Sequence, residues 1–225
     1  EALDHARQGS KLAEALQSMQ HIAFFNLTRA RTELAQGLPK ESWEHNLAAE
    51  AIGVKENLRR VLSWAASQRG QTLRFLRQYS PANLAYQAGV DLSVFSYDRL
   101  EAQFRLGLGL ASEGNIEDGL SMLRATLEKA RQLQLDLVSL LAETSILLIQ
   151  VHTGLVEDAR QGLPGLIERA RERHIAEVDT GAEYIQALLA SHDGKQAEAK
   201  DHAARVVELG RQYGILWWEL LGWIH

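Results

Sequence analysis

Apolar residues recur along the chain at steps of three and four, and polar residues fill the positions between them. One clear stripe consists of Ile116, Leu120, Leu123 and Leu127. That spacing places four side chains on one side of a helix, so residues 116–133 are predicted to be α-helical. Residues 101–114 form a similar run that ends at Gly114, a residue suited to the left-handed conformation found just after helices. With only 3 prolines in the chain, the pattern predicts helix almost throughout.

A polar turn containing glycine, followed five positions later by a small residue, returns at a constant interval of forty positions. The glycines are Gly114, Gly154 and Gly194, and the small residues are Gly119, Ala159 and Ala199. A small side chain is expected there because two antiparallel helices lie close together where they leave a tight turn. Periods of roughly 20 to 50 residues are typical of repeat architectures. We therefore predict an all-α fold, a right-handed solenoid of antiparallel helix pairs in which each pair covers the apolar side of the next.

The second helices of these units also match position by position. The equivalent residues are Leu127, Ile167 and Val207; Glu128, Glu168 and Glu208; Arg131, Arg171 and Arg211; and Leu135, Ile175 and Ile215. From this alignment we expect a helical linker subdomain over residues 1–53 and a repeat array over residues 54–225. The units of the array are predicted at 54–98, 99–138, 139–178 and 179–218, with a truncated unit at 219–225.

Three local features are predicted in the first part of the chain. Residues 36–42 are expected to break the helix, with Ser42 capping a new helix that begins at Trp43. Gly70 is predicted to be the turn of the first unit of the array. Pro81 is expected to kink or break the helix that follows, because proline removes one backbone hydrogen bond and clashes with the preceding turn.

These residues resemble the tetratricopeptide family, whose unit has Leu-Gly in the first helix, glycine at the turn and alanine early in the second helix. The matching positions are Leu106, Gly107, Gly114 and Gly119, then Gly154 and Ala159, then Gly194 and Ala199. The period is longer than the standard one and resembles the arrays of bacterial MalT-type regulators, which implies longer helices. The third unit departs from the pattern, with Glu183 and Gln186 where apolar residues are expected.

A second resemblance covers residues 43–65, which are similar to the helical linker after the nucleotide-binding domain of bacterial STAND-type regulators. The matching residues are Trp43, Leu47, Glu50, Asn57, Leu58, Arg59, Leu62, Trp64 and Ala65, with about four extra residues between Glu50 and Asn57, one helical turn. This resemblance implies a parent that is a multidomain signalling ATPase or transcriptional regulator, with the array as its sensor or docking arm. Neither terminus has the features of a natural end, so we expect a fragment of a longer protein.

Composition narrows the classes of function. The net charge of −5 gives no general attraction to phosphate backbones, so we expect no direct nucleic-acid partner. No apolar run approaches the roughly 20 residues that cross a bilayer, and no secretory signal is present. The absence of cysteine excludes disulfides and thiolate metal sites, and it fits a reducing, cytoplasmic compartment.

No catalytic motif is found. The phosphate-binding pattern GxxxxGK[ST] is absent, as are the metalloprotease and hydrolase patterns. His152 and His192 occupy equivalent places before turn glycines, where partly exposed turn residues are expected rather than metal ligands. We therefore predict no enzyme activity in this segment, no cofactor and no metal, with any nucleotide hydrolysis by the parent lying elsewhere.

The tetratricopeptide resemblance implies that the first helices line a groove for a partner. Carried over by position, the groove residues are Phe104, Leu108, Leu141, Thr144, Leu148, Tyr184, Leu188 and His192. A protein or peptide partner and a small-molecule effector both remain open as occupants. An alternative function is an oligomerisation or interaction scaffold unrelated to transcription, in which copies associate through the C-terminal aromatic helix with Trp217, Trp218, Leu221 and Trp223.

Overall fold

The computed structural model describes residues 2–173 and 175–214, and all regular structure in these ranges is α-helical. The eleven helices within these two ranges are α1 (Ala2–Ala15), α2 (Met19–Ala35), α3 (Pro39–Lys55), α4 (Arg59–Phe75), α5 (Tyr79–Leu92), α6 (Ser96–Glu113), α7 (Ile116–Gln132), α8 (Asp136–His152), α9 (Val156–Arg173), α10 (Ala176–His192) and α11 (Gln196–Tyr213). The predicted all-α fold of consecutive helix pairs is confirmed. The predicted C-terminal aromatic helix and Ile215 lie outside the described residues.

The chain divides into two compact units, unit 1 over residues 1–115 and unit 2 over residues 116–225. Within unit 1 each helix packs against the next, and the alternate helices α2, α4 and α6 also pack side by side. Within unit 2 the same arrangement brings α8 against α10. Alternate helices therefore share one continuous face in each unit. The predicted domain boundary at residue 53 falls near the end of α3 and remains a prediction.

Most connections close in the same way. After α2, the amide of Leu38 donates to the carbonyl of Glu33 at 2.9 Å and the amide of Gly37 donates to that of Leu34 at 3.0 Å. This pair of bonds requires one residue in the left-handed conformation. The left-handed residues are Gln17, Gly37, Asn57, Arg77, Gly114, Gln134, Gly154, Gly194 and Gly214. Up to Arg77 these positions follow at steps of twenty, and from Gly114 onward at steps of twenty or forty, so each repeat consists of two equal halves.

The predicted turn at Gly70 is wrong. Gly70 is buried in the middle of α4, and the left-handed turn after that helix is at Arg77, with φ of 58°. A Cβ atom at Gly70 would lie 2.6 Å from the ring of Tyr86. Glycine is present at this position because a ring from the next helix occupies the space of a side chain.

The predicted break at residues 36–42 is partly wrong. The turn is present at Gly37, but α3 begins at Pro39 and not at Trp43. Proline suits the first position of a helix because the amide hydrogen it lacks would have no partner there. Ser42 is therefore inside the helix, fully buried, with its hydroxyl 3.3 Å from that of Thr72.

The predicted kink at Pro81 is also wrong. Pro81 is the third residue of α5, in the first turn, where a backbone amide has no partner within the helix. The connection after α5 differs from the others, because Ser93 is extended and no left-handed residue lies between Leu92 and Ser96. The starts of α6, α8 and α10 are evenly spaced, whereas α5, with 14 residues against 17 in α4, brings the start of α6 three positions closer to that of α4.

The small residues after the glycine turns are buried as expected: Gly119, Ala159 and Ala199. In unit 2 the main core cluster joins α8, α9 and α10 through side chains that include Leu147, Leu166 and Ile185. The departure at Glu183 is explained by its partners. Its carboxylate lies 2.7 Å from Nδ1 of His202 and 3.5 Å from Arg205, which ties α10 to α11.

Candidate interaction faces

The alternate helices can be aligned residue by residue from their first positions; these helices are α2, α4, α6, α8 and α10. We call their shared surface in unit 1, on α2, α4 and α6, the unit 1 face, and the surface on α8 and α10 the unit 2 face. One row of equivalent positions contains Phe24, Trp64, Glu101, Leu141 and Gly181; the next contains Leu27, Ser67, Phe104, Thr144 and Tyr184; a third contains Arg31, Gln71, Leu108, Leu148 and Leu188. The predicted groove residues all belong to these three rows except His192, which lies four positions after Leu188.

On the unit 2 face the predicted residues divide into two kinds. Tyr184 is only 5% exposed and forms a cluster with Val206, against which Leu148 and Leu188 pack. Thr144 is buried, and its hydroxyl donates to the carbonyl of Leu140 at 2.8 Å. Tyr184 and Thr144 therefore serve the core.

The remaining predicted residues of the unit 2 face stay accessible. Leu141, Leu148 and Leu188 are half-buried, so each presents part of an apolar side chain to solvent. His192 is exposed, with Nδ1 at 3.7 Å from the carboxylate of Asp193. The accessible part of this face therefore combines leucine side chains with the exposed imidazole of His192.

On the unit 1 face, Phe104 is buried and Leu108 is half-buried, one helical turn further along α6. The guanidinium of Arg105 lies 5.9 Å from the centre of the Phe104 ring. Of the two predicted residues on this face, only Leu108 therefore presents part of its side chain to solvent.

Arg60 is the centre of a cluster that the sequence did not reveal. Its guanidinium carbon lies 5.8 Å from the ring centre of Phe24, 5.1 Å from that of Trp64 and 4.9 Å from that of Phe95. Its Nε donates to the carboxylate of Asp98 at 3.0 Å. The Phe24 and Trp64 rings meet edge to face, 5.3 Å apart. This cluster joins α2 and α4 to the start of α6.

The burial of the two charged partners is unequal. The Asp98 side chain is completely buried, whereas that of Arg60 is 42% exposed. A buried carboxylate requires a partner with good geometry, because its hydration is lost. Phe95 is also exposed, so the edge of the cluster offers an aromatic ring and a guanidinium to solvent. Aromatic and arginine side chains are enriched where proteins bind partners.

A second charged group on the unit 1 face surrounds Tyr97. Arg105 donates to Glu101 at 2.6 Å, and both residues are mostly buried. Burial alone would raise the pKa of Glu101, but the charges of Arg105 and Arg31 and the hydrogen bond from Arg105 hold it below its usual value. Burial raises the pKa of the Tyr97 phenol, and the nearby Glu101 carboxylate raises it further.

Two kinds of feature are absent from residues 2–173 and 175–214. No group of three or more His, Asp or Glu side chains there is arranged to hold a metal ion. No helix among the described residues is both long and apolar enough to span a bilayer.

Solved structures with the same arrangement of helices include a Rap protein in complex with competence and sporulation factor, at 15% identity and a TM-score of 0.74. They also include aspartyl phosphate phosphatase F from Bacillus subtilis, at 11% and 0.65, and a kinesin light chain from Podosopora anserina with nearly identical TPR-like repeats, at 14% and 0.56. The matches cover 98%, 92% and 89% of this chain. No family model and no curated protein matches the sequence.

These likenesses establish the class of fold. The chain is a tetratricopeptide-like helical repeat protein, as the sequence predicted. The matches extend over 67% of the Rap protein, 56% of the phosphatase and 96% of the kinesin light chain. At these identities they describe the fold and not the activity.

Proposed function

We propose that this chain is a non-catalytic scaffold that binds a protein or peptide partner on the unit 1 and unit 2 faces. The observation that carries the proposal is the side-by-side packing of alternate helices, which lines up half-exposed apolar, aromatic and arginine side chains along one surface in each unit. Such a surface can contact several side chains of one partner. The Rap neighbour was solved with competence and sporulation factor, which supports a partner-binding role for this fold.

The proposal can be tested by selecting peptides from a displayed random library against the whole chain. Selected peptides would then be titrated calorimetrically against matched variants. In unit 1, Phe95→Glu changes an exposed ring of the Arg60 cluster, and Leu84→Glu changes an even more exposed leucine on α5. In unit 2, Leu148→Gln lies on the face and Leu133→Gln lies at the exposed end of α7.

We expect each selected peptide to lose affinity in at least one face variant and to retain it in both controls. Circular dichroism would establish that every variant is folded. A library that yields no binder, or binders that respond equally to face and control variants, would remove the proposal.

A finer proposal is that the array serves as the cytoplasmic sensor arm of a MalT-like, STAND-type regulator and binds a small effector. It rests on the resemblance of residues 43–65, which lie on α3, the turn at Asn57 and the start of α4. A phosphate-binding loop encoded upstream and a helix-turn-helix encoded downstream would support it. A parent gene that encodes neither would leave a general scaffold unrelated to transcription.

Self-association is a second candidate function. It is favoured by exposed apolar side chains at helix ends, among them Leu16, Val54 and Val94. The aromatic residues predicted to mediate it, from Trp217 onward, lie outside the described residues. Sedimentation at increasing concentration would show a dimer or larger species if this function is present, and a monomer throughout would exclude it.

A further inference from the structure

Unit 2 contains a groove of about 790 Å³ between α9 and α11. The groove is lined by α9, α10 and α11, whereas the unit 2 face is formed by α8 and α10. Its lining on α9 extends from Arg160 to Glu172, which is about 18 Å along a helix. That length accommodates about five residues of extended peptide. The groove is separate from the unit 1 and unit 2 faces, and binding there is independent of binding on those faces.

The floor of the groove is apolar, and an ion pair crosses the end that lies near Arg160. Leu163, Leu189 and Ala190 are buried beneath it, with Ile167 half-exposed above them. Across the end, Arg160 binds Asp193 through two hydrogen bonds of 2.8 and 3.2 Å. This ion pair is satisfied within the protein, as is the pair of Lys195 with Glu198 at 3.4 Å.

The wall formed by α9 presents two exposed carboxylates that receive no hydrogen bond from any described side chain. Glu168 and Glu172 lie one helical turn apart on the groove side, and neither has an ion-pair partner among the described residues. Arg171, also on this wall, is the one lining cation outside the two ion pairs in the part of the chain that the structure describes. His202, on the α11 side, is bound to Glu183.

Pro164 adds an acceptor of a different kind. It lies within α9 and lines the groove one turn after Arg160. Proline has no amide hydrogen, so the carbonyl of Arg160 lacks its usual donor within the helix. Because residues 160, 164 and 168 share a side of the helix, this carbonyl lies on the groove side as well. A ligand rich in hydrogen-bond donors therefore matches the side of the groove formed by α9.

The net negative charge of unit 2 also favours a cationic ligand. Residues 116–225 contain 17 acidic and 11 basic residues, whereas residues 1–115 contain 12 and 13. The field around unit 2 therefore attracts cations. A second copy of this chain, at a net charge of −5, and nucleic acid are both poor matches.

We propose that this groove binds a basic peptide segment of a partner protein, with apolar side chains against Leu163 and Ile167 and Lys or Arg side chains on Glu168 and Glu172. Arginine suits these carboxylates because its planar guanidinium can bind them through two hydrogen bonds. Backbone amides of the same segment can donate to the carbonyl of Arg160.

The test uses two fluorescein-labelled octapeptides, one of alternating Leu and Arg and one of alternating Leu and Glu, with anisotropy measured at low salt. The groove variant is Glu168→Gln/Glu172→Gln. The matched control is Glu117→Gln/Asp118→Asn on α7, which removes the same charge from exposed positions outside the groove. Gln186→Trp places a large side chain in the groove without changing charge.

We expect the Leu-Arg peptide alone to bind. Its affinity should fall about tenfold in the groove variant, the effect of losing two exposed ion pairs, and less than about twofold in the control. Gln186→Trp should also weaken binding. Equal losses in the two charge variants would show attraction to the acidic unit without a site and would overturn the proposal. Comparable binding of both peptides, or of neither, would also overturn it.

Discussion

The ring of Tyr86 on α5 occupies the space that a side chain at Gly70 on α4 would fill, with Cδ1 and Cε1 of the ring 2.6 Å from the position of a Cβ. Tyr86 is completely buried, and burial raises the pKa of its phenol despite the nearby Arg74 and Arg105. The contact fixes how closely the two helices approach. The opposite edge of the ring, at Cε2, lies beside α6, 3.4 Å from the position of a Cβ at Gly109, so the ring has little room to move away.

Gly70→Ala is therefore expected to destabilise the protein by about 2 kcal/mol, because overpacking outweighs the gain of about 1 kcal/mol in helix propensity. Urea unfolding measures the difference. Gly165→Ala in α9 is the matched control, since a Cβ there meets only the flexible end of Arg169 at 3.2 Å. The control should be neutral or stabilising. Equal effects at the two glycines would contradict the proposed role of Tyr86.

Arg60→Ala should cost about 3 kcal/mol of unfolding free energy, because it leaves the buried Asp98 carboxylate without its cation. Arg60→Lys should be intermediate, since it keeps the charge but loses the second bond to Asp98, at 3.4 Å. Arg59→Ala, at the neighbouring exposed position, removes only a 3.1 Å hydrogen bond to the carbonyl of Asp91 and should cost no more than about 1 kcal/mol. If Asp98→Asn does not recover part of the loss in the Arg60→Ala background, the two residues are not coupled as described.

Replacing an arginine by glycine should stabilise the protein at one position. Arg77 is held in the left-handed conformation, which costs a residue with a side chain about 1–2 kcal/mol, so Arg77→Gly should gain up to about 1 kcal/mol. Arg124→Gly, at an exposed position inside α7, should lose about 1 kcal/mol. Gly154→Ala should also lose about 1 kcal/mol, since Gly154 has a φ of 83°. Thermal unfolding of the three variants would show these opposite signs.

The pKa of Glu101 predicts a dependence on pH. Because it is lower in the folded protein than its usual 4.5, the carboxylate contributes stability above about pH 4.5, and this contribution is lost as the pH falls through the folded pKa. Glu101→Gln should therefore be less stable than the wild type at pH 7, with the difference shrinking near pH 3. Urea titrations at both values measure this. A difference independent of pH would show that Glu101 acts through packing alone.

The repeat could be predicted from the sequence wherever glycine forms the turn, since glycine is the usual residue at a positive φ. The turns at Asn57, Arg77 and Gln134 have no such signal, because hydrogen bonds at the helix ends hold ordinary residues in the same conformation. This is why the glycine pattern places the first turn of the array wrongly at Gly70. Phe24 and Trp64 lie one full period apart, which agrees with the earlier repeat but is a single pair of aromatic residues.

The candidate faces were only partly predictable. The alignment of the repeats correctly places Leu148 and Leu188 on the surface, where both are half-exposed. The same alignment also selects Tyr184, which is buried against Val206 of the following helix. The bond from Arg60 to Asp98 joins α4 to α6 across the intervening helix, and no periodic pattern indicates it. Repeat spacing locates a residue on a face, whereas exposure depends on neighbours in other helices.

The equal halves of the repeat have an evolutionary consequence. Each helix with its turn fills half a period. If one whole period is duplicated or deleted, starting at a left-handed turn, the two chain ends that are joined therefore have the same backbone conformation. Every hairpin that remains keeps its internal contacts. Relatives of this protein can therefore differ in length by whole hairpins, and the irregular connection at Ser93 marks a place where such an exchange would not rejoin in step.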